Sequence, residues 1–180
     1  MDDPVESPLI EVESYGKVLV TGGYLVLDPS FSGLVLSAKN VRLRVTLSAL
    51  SNLQGQILIQ TPQFPNAPAA FHLEDISKLS NPFLRGPLEL AMIFEPAATG
   101  LQAFLKDQGL RITIEASKYF YDYTGLVPSP CSAKQVRELP EFPAFEGGFS
   151  AKTGLGSSAA LVAALTSALI LQFSDPPLAP

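Results

Sequence analysis

An α+β fold, or its mixed α/β variant, is predicted by three features of the sequence. Short β-rich or alternating apolar runs come first, a helix-spaced segment and one more alternating run follow, and a long stretch of small apolar residues with helical length comes last. At 180 residues, 47% hydrophobic and 16% charged, the chain can bury a sizeable core and lacks the composition of a disordered segment. One domain, or part of a larger protein, is expected, with residues 1–14 as a tail and residues 15–180 as the folded unit.

The elements follow in order. "GKVLVTGGYLVL", from Gly16, reads as two β-rich runs meeting at Gly22 and Gly23, and "DPSFSG" supplies turn residues after them. In "LVLSAKNVRLRVTLS", Val41, Leu43, Val45 and Leu47 alternate with Arg42, Arg44 and Thr46, the pattern of a half-buried strand. "GQILIQTP" is a further short strand, ended by Pro62. The next stretch, which contains His72, reads as loop. "FLRGPLELAMIFEPAATGLQAFLKDQG" has helical spacing, and Pro87 and Pro96 are expected to divide or kink it. "LRITIEAS" alternates again, with Leu110, Ile112 and Ile114 inward. A long irregular connection with four prolines comes next, and loops of that length are often functional. A helix from Ser157 to about Phe173 ends the pattern.

Charge and composition exclude several classes of function. A net charge of -5 argues against nucleic acid as a partner, and Lys39, Arg42 and Arg44 read as the solvated face of a strand. Cys131 is the single cysteine and His72 the single histidine, which excludes an intrachain disulfide framework and a His-rich metal site. His72 reads as structural or incidental. The most apolar run, residues 159–173, is shorter than the roughly 20 residues of a membrane span and includes Thr166, Ser167 and Gln172. The acidic, prolyl start "MDDPVESP" resembles neither a signal peptide nor a transit peptide. A soluble, intracellular, membrane-free protein is expected, cytoplasmic or else peroxisomal, although the terminal "LAP" is no peroxisomal address.

The stretch that carries chemistry is "KTGLGSSAALVAAL", from Lys152. The first N–H groups of a helix lack intrahelical partners, and the aligned peptide dipoles place about half a positive charge there. Gly154 and Gly156 let the backbone approach a ligand closely, and Ser157 and Ser158 add hydroxyls able to cap the helix or to meet Mg²⁺. Together they suit a phosphate group. The spacing is neither that of a Walker loop nor a Rossmann fingerprint. A serine cap after glycine is also an ordinary way to start a helix. The small residues Ala159, Ala160, Ala163, Ala164, Ser167 and Ala168 offer close backbone packing, which is compatible with simple core as well as with a rigid site. Lys17 and Lys152 each read as exposed strand-end charges unless the loop binds polyphosphate; both would then neutralise charge on the phosphate oxygens.

At "YGKVLVTGGYLVLDP" and "KTGLGSSAA" the sequence resembles the GHMP kinase superfamily and, within it, the phosphomevalonate kinase branch. Gly23 and Tyr24 stand where the mevalonate kinase version of the first motif usually has an acidic residue and a histidine. "NPF" at 81–83 and "GLRITIEASKYFYDY" are similar to the intervening family segments. The resemblance implies a domain like domain 2 of ribosomal protein S5, with ATP held between it and a ferredoxin-like C-terminal domain. It also implies transfer of the ATP γ-phosphoryl group, with Mg²⁺, to the phosphate of 5-phosphomevalonate, a small-molecule substrate. Residue by residue, it assigns Gly154, Leu155, Gly156, Ser157, Ser158, Ala159 and Ala160 to ATP, one of Ser157 or Ser158 to the metal with Ser158 preferred, and Lys17 and Lys152 to the transferring phosphoryl and the acceptor. A third glycine-rich motif, the ferredoxin-like domain and an acidic Mg²⁺ ligand have no counterpart here, so this is expected to be the N-terminal portion of such a kinase. Mevalonate kinase, another GHMP kinase, or a non-catalytic ATP-binding isoform are the alternatives.

Overall fold

Alternation at period two puts one row of side chains on each face of a strand, and the strands of this chain meet row to row. The computed structural model describes residues 8–63, 69–122, 127, 130–144 and 152–174. Five strands form one sheet: β1 (Pro8–Thr21), β2 (Leu34–Leu50), β3 (Gln56–Gln60), β4 (Ala69–His72) and β5 (Gly109–Ala116), in the order β1-β2-β5-β3-β4. Neighbours are antiparallel except β3 and β5, which run parallel and are joined through β4 and two helices, as a parallel pair requires. Val45 faces Ile114, Leu47 faces Ile112, and Ile59 and Ile57 continue the row from Ile112 and Leu110. All are buried, and each contributes about 1.5–3 kcal/mol relative to exposure. The fold is thus a mixed five-stranded α+β sheet, and the inward residues expected on β2 and β5 are the ones found inside.

The helices are α1 (Pro82–Ile93), α2 (Glu95–Asp107), α3 (Ala133–Glu138) and α4 (Ser157–Phe173). α1, α2 and α4 pack together, with α4 also against β1 and β2 and α2 against β5. Pro82 and Asn81 start α1, the Asn81 Oδ1 accepting from the Phe83 N–H at 3.0 Å. Pro87 lies within α1 without dividing it. The break comes at Phe94, just before Glu95 and Pro96 open α2, a position where a proline costs no hydrogen bond.

The opposite sheet face is charged. Arg44 pairs with Glu13 at 3.1 Å and Glu11 at 3.3 Å, and Arg42 with Glu13 at 3.2 Å and Glu141 at 3.6 Å. The Phe142 ring lies under both guanidinium groups, at 5.8 Å from Arg42 and 5.2 Å from Arg44. Residues 141 and 142 therefore return across this face.

Several elements differ from expectation. Residues 8–14, expected as tail, are strand paired with β2, with Ile10 and Val12 against the core. The second run of "GKVLVTGGYLVL" is a 3-10 turn, Gly23–Leu27, because Gly22 and Gly23 take positive φ values of 109° and 44° and lead the chain out of extended geometry. The outer part of the β1–β2 hairpin is apolar yet exposed, at Val18, Leu19, Leu34, Val35 and Leu36. The stretch expected as loop contains β4, so His72 ends a strand, and its Nδ1 lies 3.2 Å from the Gly55 carbonyl oxygen. The long connection contains α3, held by a capping box between Ser132 and Gln135; its residues 123–126, 128–129 and 145–151 lie outside the described residues.

Candidate phosphate-binding site

Four helical turns of small and apolar residues place the start of α4. Ser157, Ala160, Ala164 and Ala168 are buried together with Leu165 and Leu169, whereas Ala159, Ala163 and Ser167 are exposed, so the six small residues lie on two faces rather than one. Ala160 comes close enough to β1 for the Ser14 hydroxyl to donate to its carbonyl at 2.6 Å. That contact sets the N-terminal turn of α4 beside the strand that carries Lys17.

β1 is irregular there. Tyr15 is opposite Arg42 but Gly16 is opposite Ala38, and such a bulge re-aims the residues that follow it. The Lys17 N–H donates to the Leu155 carbonyl at 2.9 Å, which fastens the strand to the glycine loop. The Lys17 stem passes along Gly156, where an added Cβ would sit 3.2 Å from Lys17 Cγ. Gly154 and Gly156 both have φ of 81°, the left-handed region that a side chain rarely adopts. Gly156 is the N-cap, and no side chain caps α4. The first helical hydrogen bond runs from the Ala160 N–H to the Gly156 carbonyl at 3.0 Å, which leaves the N–H groups of Ser157, Ser158 and Ala159 for an outside acceptor.

The two serines differ. Ser157 is 8% exposed and faces the core, whereas Ser158 is half-buried and its Oγ lies 3.2 Å from Lys152 Nζ. Lys152 in turn is fixed by its main chain, through a bridge to Tyr121, and by its neighbour. The Thr153 N–H donates to the Phe120 carbonyl at 3.0 Å and the Thr153 hydroxyl to the Tyr119 carbonyl at 2.8 Å. The 3-10 turn Lys118–Phe120 is itself anchored by the buried Lys118, whose Nζ donates to the carbonyls of Arg137 at 3.0 Å and Leu139 at 2.6 Å.

All the residues singled out from the sequence, Lys17, Lys152 and the seven from Gly154 to Ala160, therefore meet around one helix terminus. Sequence reasoning passed over Thr153 and Phe83. Thr153 sits within the quoted motif, and a hydroxyl between a lysine and a glycine at a chain crossing was a usable signal. Phe83 was visible only as part of "NPF". The group fits a polyphosphate: orphan N–H donors, an open approach where a Cβ at Gly154 would meet nothing within 4 Å, and two lysines. It fits Mg²⁺ held chiefly by phosphate oxygens, with a serine hydroxyl as a protein ligand. Among the described residues no group of three His, Cys, Asp or Glu side chains could hold a metal without such help.

No family model matches the chain. The phosphomevalonate kinase of Gibberella zeae is 28% identical to it over 188 residues, covering 94% of this chain. That of Aspergillus fumigatus is 29% identical over 93% of the chain, and the peroxisomal phosphomevalonate kinase of Arabidopsis thaliana is 31% identical over 89%. The chain is homologous to phosphomevalonate kinases. It spans about two fifths of their length, 41%, 42% and 40% respectively. A mevalonate kinase structure from Methanococcus jannaschii aligns over 92% of the chain and 40% of its own, with 16% identity and a TM-score of 0.47; a second mevalonate kinase structure gives 0.45 over 89% and 39%, at the same identity.

Burial pushes the Tyr121 phenol up to about 12. The folded value lies above the unfolded one of about 10, so its contribution to stability is complete below pH 10 and disappears as pH rises through 12. Urea unfolding of the wild type is expected to lose about 2–3 kcal/mol over that window from this group. Tyr121→Phe should lose correspondingly less, and an identical alkaline decline in both proteins would remove Tyr121 as its source.

Proposed function

We propose that this chain carries the ATP-phosphate site of a phosphomevalonate kinase, which transfers the γ-phosphoryl of ATP to 5-phosphomevalonate and yields 5-diphosphomevalonate and ADP. The observation that carries the reading is the uncapped start of α4, with Lys17 and Lys152 both beside it. Homology over about nine tenths of the chain supports the choice of substrate. So do Gly23 and Tyr24 in the first motif, where the mevalonate kinase version carries an acidic residue and a histidine.

In this reading the N–H groups of residues 157–159 receive phosphate oxygens, and the left-handed glycines keep the approach free of side chains. Lys17 and Lys152 act on the acceptor problem. A monoester phosphate has a second pKa of about 6 and is already mostly a dianion at neutral pH, so a strong base is less needed than for an alcohol. Bringing the two polyanions together is harder: two unit charges about 4 Å apart interact by about 4 kcal/mol at an effective dielectric of about 20. Lysines, as mobile point charges, offset that repulsion. Bound Mg²⁺ would supply further charge neutralisation on the β- and γ-oxygens, with Ser158 as its protein hydroxyl. No helix of the described residues is long and apolar enough to cross a membrane. A cytoplasmic or peroxisomal location belongs to the same reading.

The test is ADP release from Mg·ATP by the chain, with phosphomevalonate and with mevalonate, beside direct titration of Mg·ATP. Preference for mevalonate would move the substrate to the other branch, and nucleotide binding without turnover would make the chain a binding unit. Failure of the folded chain to bind nucleotide would sink the reading. Ser158→Ala is expected to weaken Mg·ATP use by about tenfold while stability changes by less than about 0.5 kcal/mol. A larger loss from Ser157→Ala, at equal stability, would transfer the metal contact to Ser157.

A further inference from the structure

A fixed main chain does not by itself fix an ammonium at the end of a four-carbon stem. The bridge to Tyr121 and the hydrogen bonds of Thr153 place the Lys152 backbone, and Ser158 Oγ meets the ammonium from one side. On another side lies the Phe83 ring, whose centroid is 5.6 Å from Lys152 Nζ. That distance is within the range of about 6 Å at which the negative face of an aromatic ring attracts a cation.

The way Phe83 is held makes the contact more than a chance approach. Phe83 is the second residue of α1, directly after Pro82, whose φ is fixed by its ring. Its N–H is bound by the Asn81 side chain at 3.0 Å. The ring is therefore presented by a rigid helix start rather than a loop. It is also 42% exposed, so core packing does not account for its position.

The chemistry suits a site for anions. A carboxylate at 83 would hold Lys152 more strongly but would cancel its charge and repel phosphate. A phenyl ring attracts the ammonium without accepting a conventional hydrogen bond, so it does not compete with Ser158 for an N–H donor. We propose that Phe83 is the positioning residue for Lys152, holding its ammonium at the first turn of α4; its use for phosphate rests on reading that turn as the phosphate site.

The test uses the full chain with isotopically labelled lysine and the variants Phe83→Leu and Phe83→Tyr. In the wild type the ε-methylene protons of Lys152 are expected upfield of those of the other lysines through the ring current, with the resonance assigned by its loss in Lys152→Arg. Leucine keeps apolar bulk without a ring and should abolish that shift, whereas tyrosine should retain it. Tripolyphosphate titrated into the same proteins should bind about 2–5-fold more weakly to Phe83→Leu and equally to Phe83→Tyr. A wild-type resonance that is not shifted, or equal affinities in all three proteins, overturns the proposal. A ring-current shift that tyrosine restores, in a wild-type chain that binds no tripolyphosphate, supports the positioning of Lys152 and sinks the phosphate-site reading instead.

Discussion

Gly100→Val is expected to lower the stability of this chain by about 3 kcal/mol or more, and its Tm by roughly 6–12 °C. Gly100 lies in α2 where that helix crosses the end of α4. An added Cβ would sit 2.0 Å from the Phe173 carbonyl oxygen, 2.9 Å from its carbonyl carbon and 3.2 Å from its Cα. These are main-chain atoms, so no side chain can rotate away and one helix must move. Movement there opens the edge-to-face contact of Phe104 and Phe173, whose ring centroids are 5.3 Å apart. Gly100→Ala meets the same atoms and should be destabilising too, by less than valine. Because Phe173 ends α4 and Ser157 begins it, about 25 Å of helix separates the damage from the glycine loop. Nucleotide affinity measured well below the lowered Tm should therefore persist. An unchanged Tm for Gly100→Val would mean that α2 and α4 do not cross this closely.

Legibility of the fold followed from whether a local pattern had a partner to bury it. Val41 to Leu47 and Leu110 to Ile114 alternate in sequence and lie side by side in the sheet, so pattern and burial agree. Just before them, Leu34, Val35 and Leu36 are apolar without alternation and stay exposed, a result no periodicity could convey. β4 escaped because four residues directly after Pro68 carry too little pattern, and its pairing with β3 is a tertiary fact. α3 was readable in principle: Ser132 and Gln135 have capping-box spacing, but prolines on both sides suggested a loop. Gln63 shows a further limit. Past the end of β3 its side chain exchanges hydrogen bonds with the backbone of Ala116, extending the ladder with an amide that looks like any loop residue in sequence.

The candidate site was more legible than the fold, because a glycine loop opening a helix is contiguous in sequence. Gly154 to Ala160 stand next to one another in sequence, and the left-handed turns at Gly154 and Gly156 are the geometry that only glycine adopts cheaply. What contributes from a distance was readable only in part. Lys17 could be suspected from its motif, but the bulge at Tyr15 and Gly16 that aims it was not predictable. Phe83 and the Lys118 anchor required the three-dimensional arrangement, since each acts through a residue far away in the chain.

Lys17→Ala is expected to have the largest functional effect. Its main-chain N–H is fixed to Leu155 and remains so in the variant, and its side chain is exposed, so stability should change by less than about 0.5 kcal/mol. The lost charge is a different matter. A preorganised donor aimed at charge that develops during transfer is worth about 10²–10³ in rate. Where the chain turns phosphomevalonate over, kcat should fall by about that factor with a smaller change in KM, because two bound polyanions need the charge most as they approach. For nucleotide binding without the acceptor, the expected loss is nearer tenfold. Lys17→Arg keeps the charge but lengthens the head and spreads it over a plane, and should recover binding better than rate. The split between the two measurements is what gives the experiment its force. Equal loss of binding and rate in both variants would make Lys17 a general phosphate anchor, and wild-type rates in Lys17→Ala would remove it from the site while leaving the glycine loop in place.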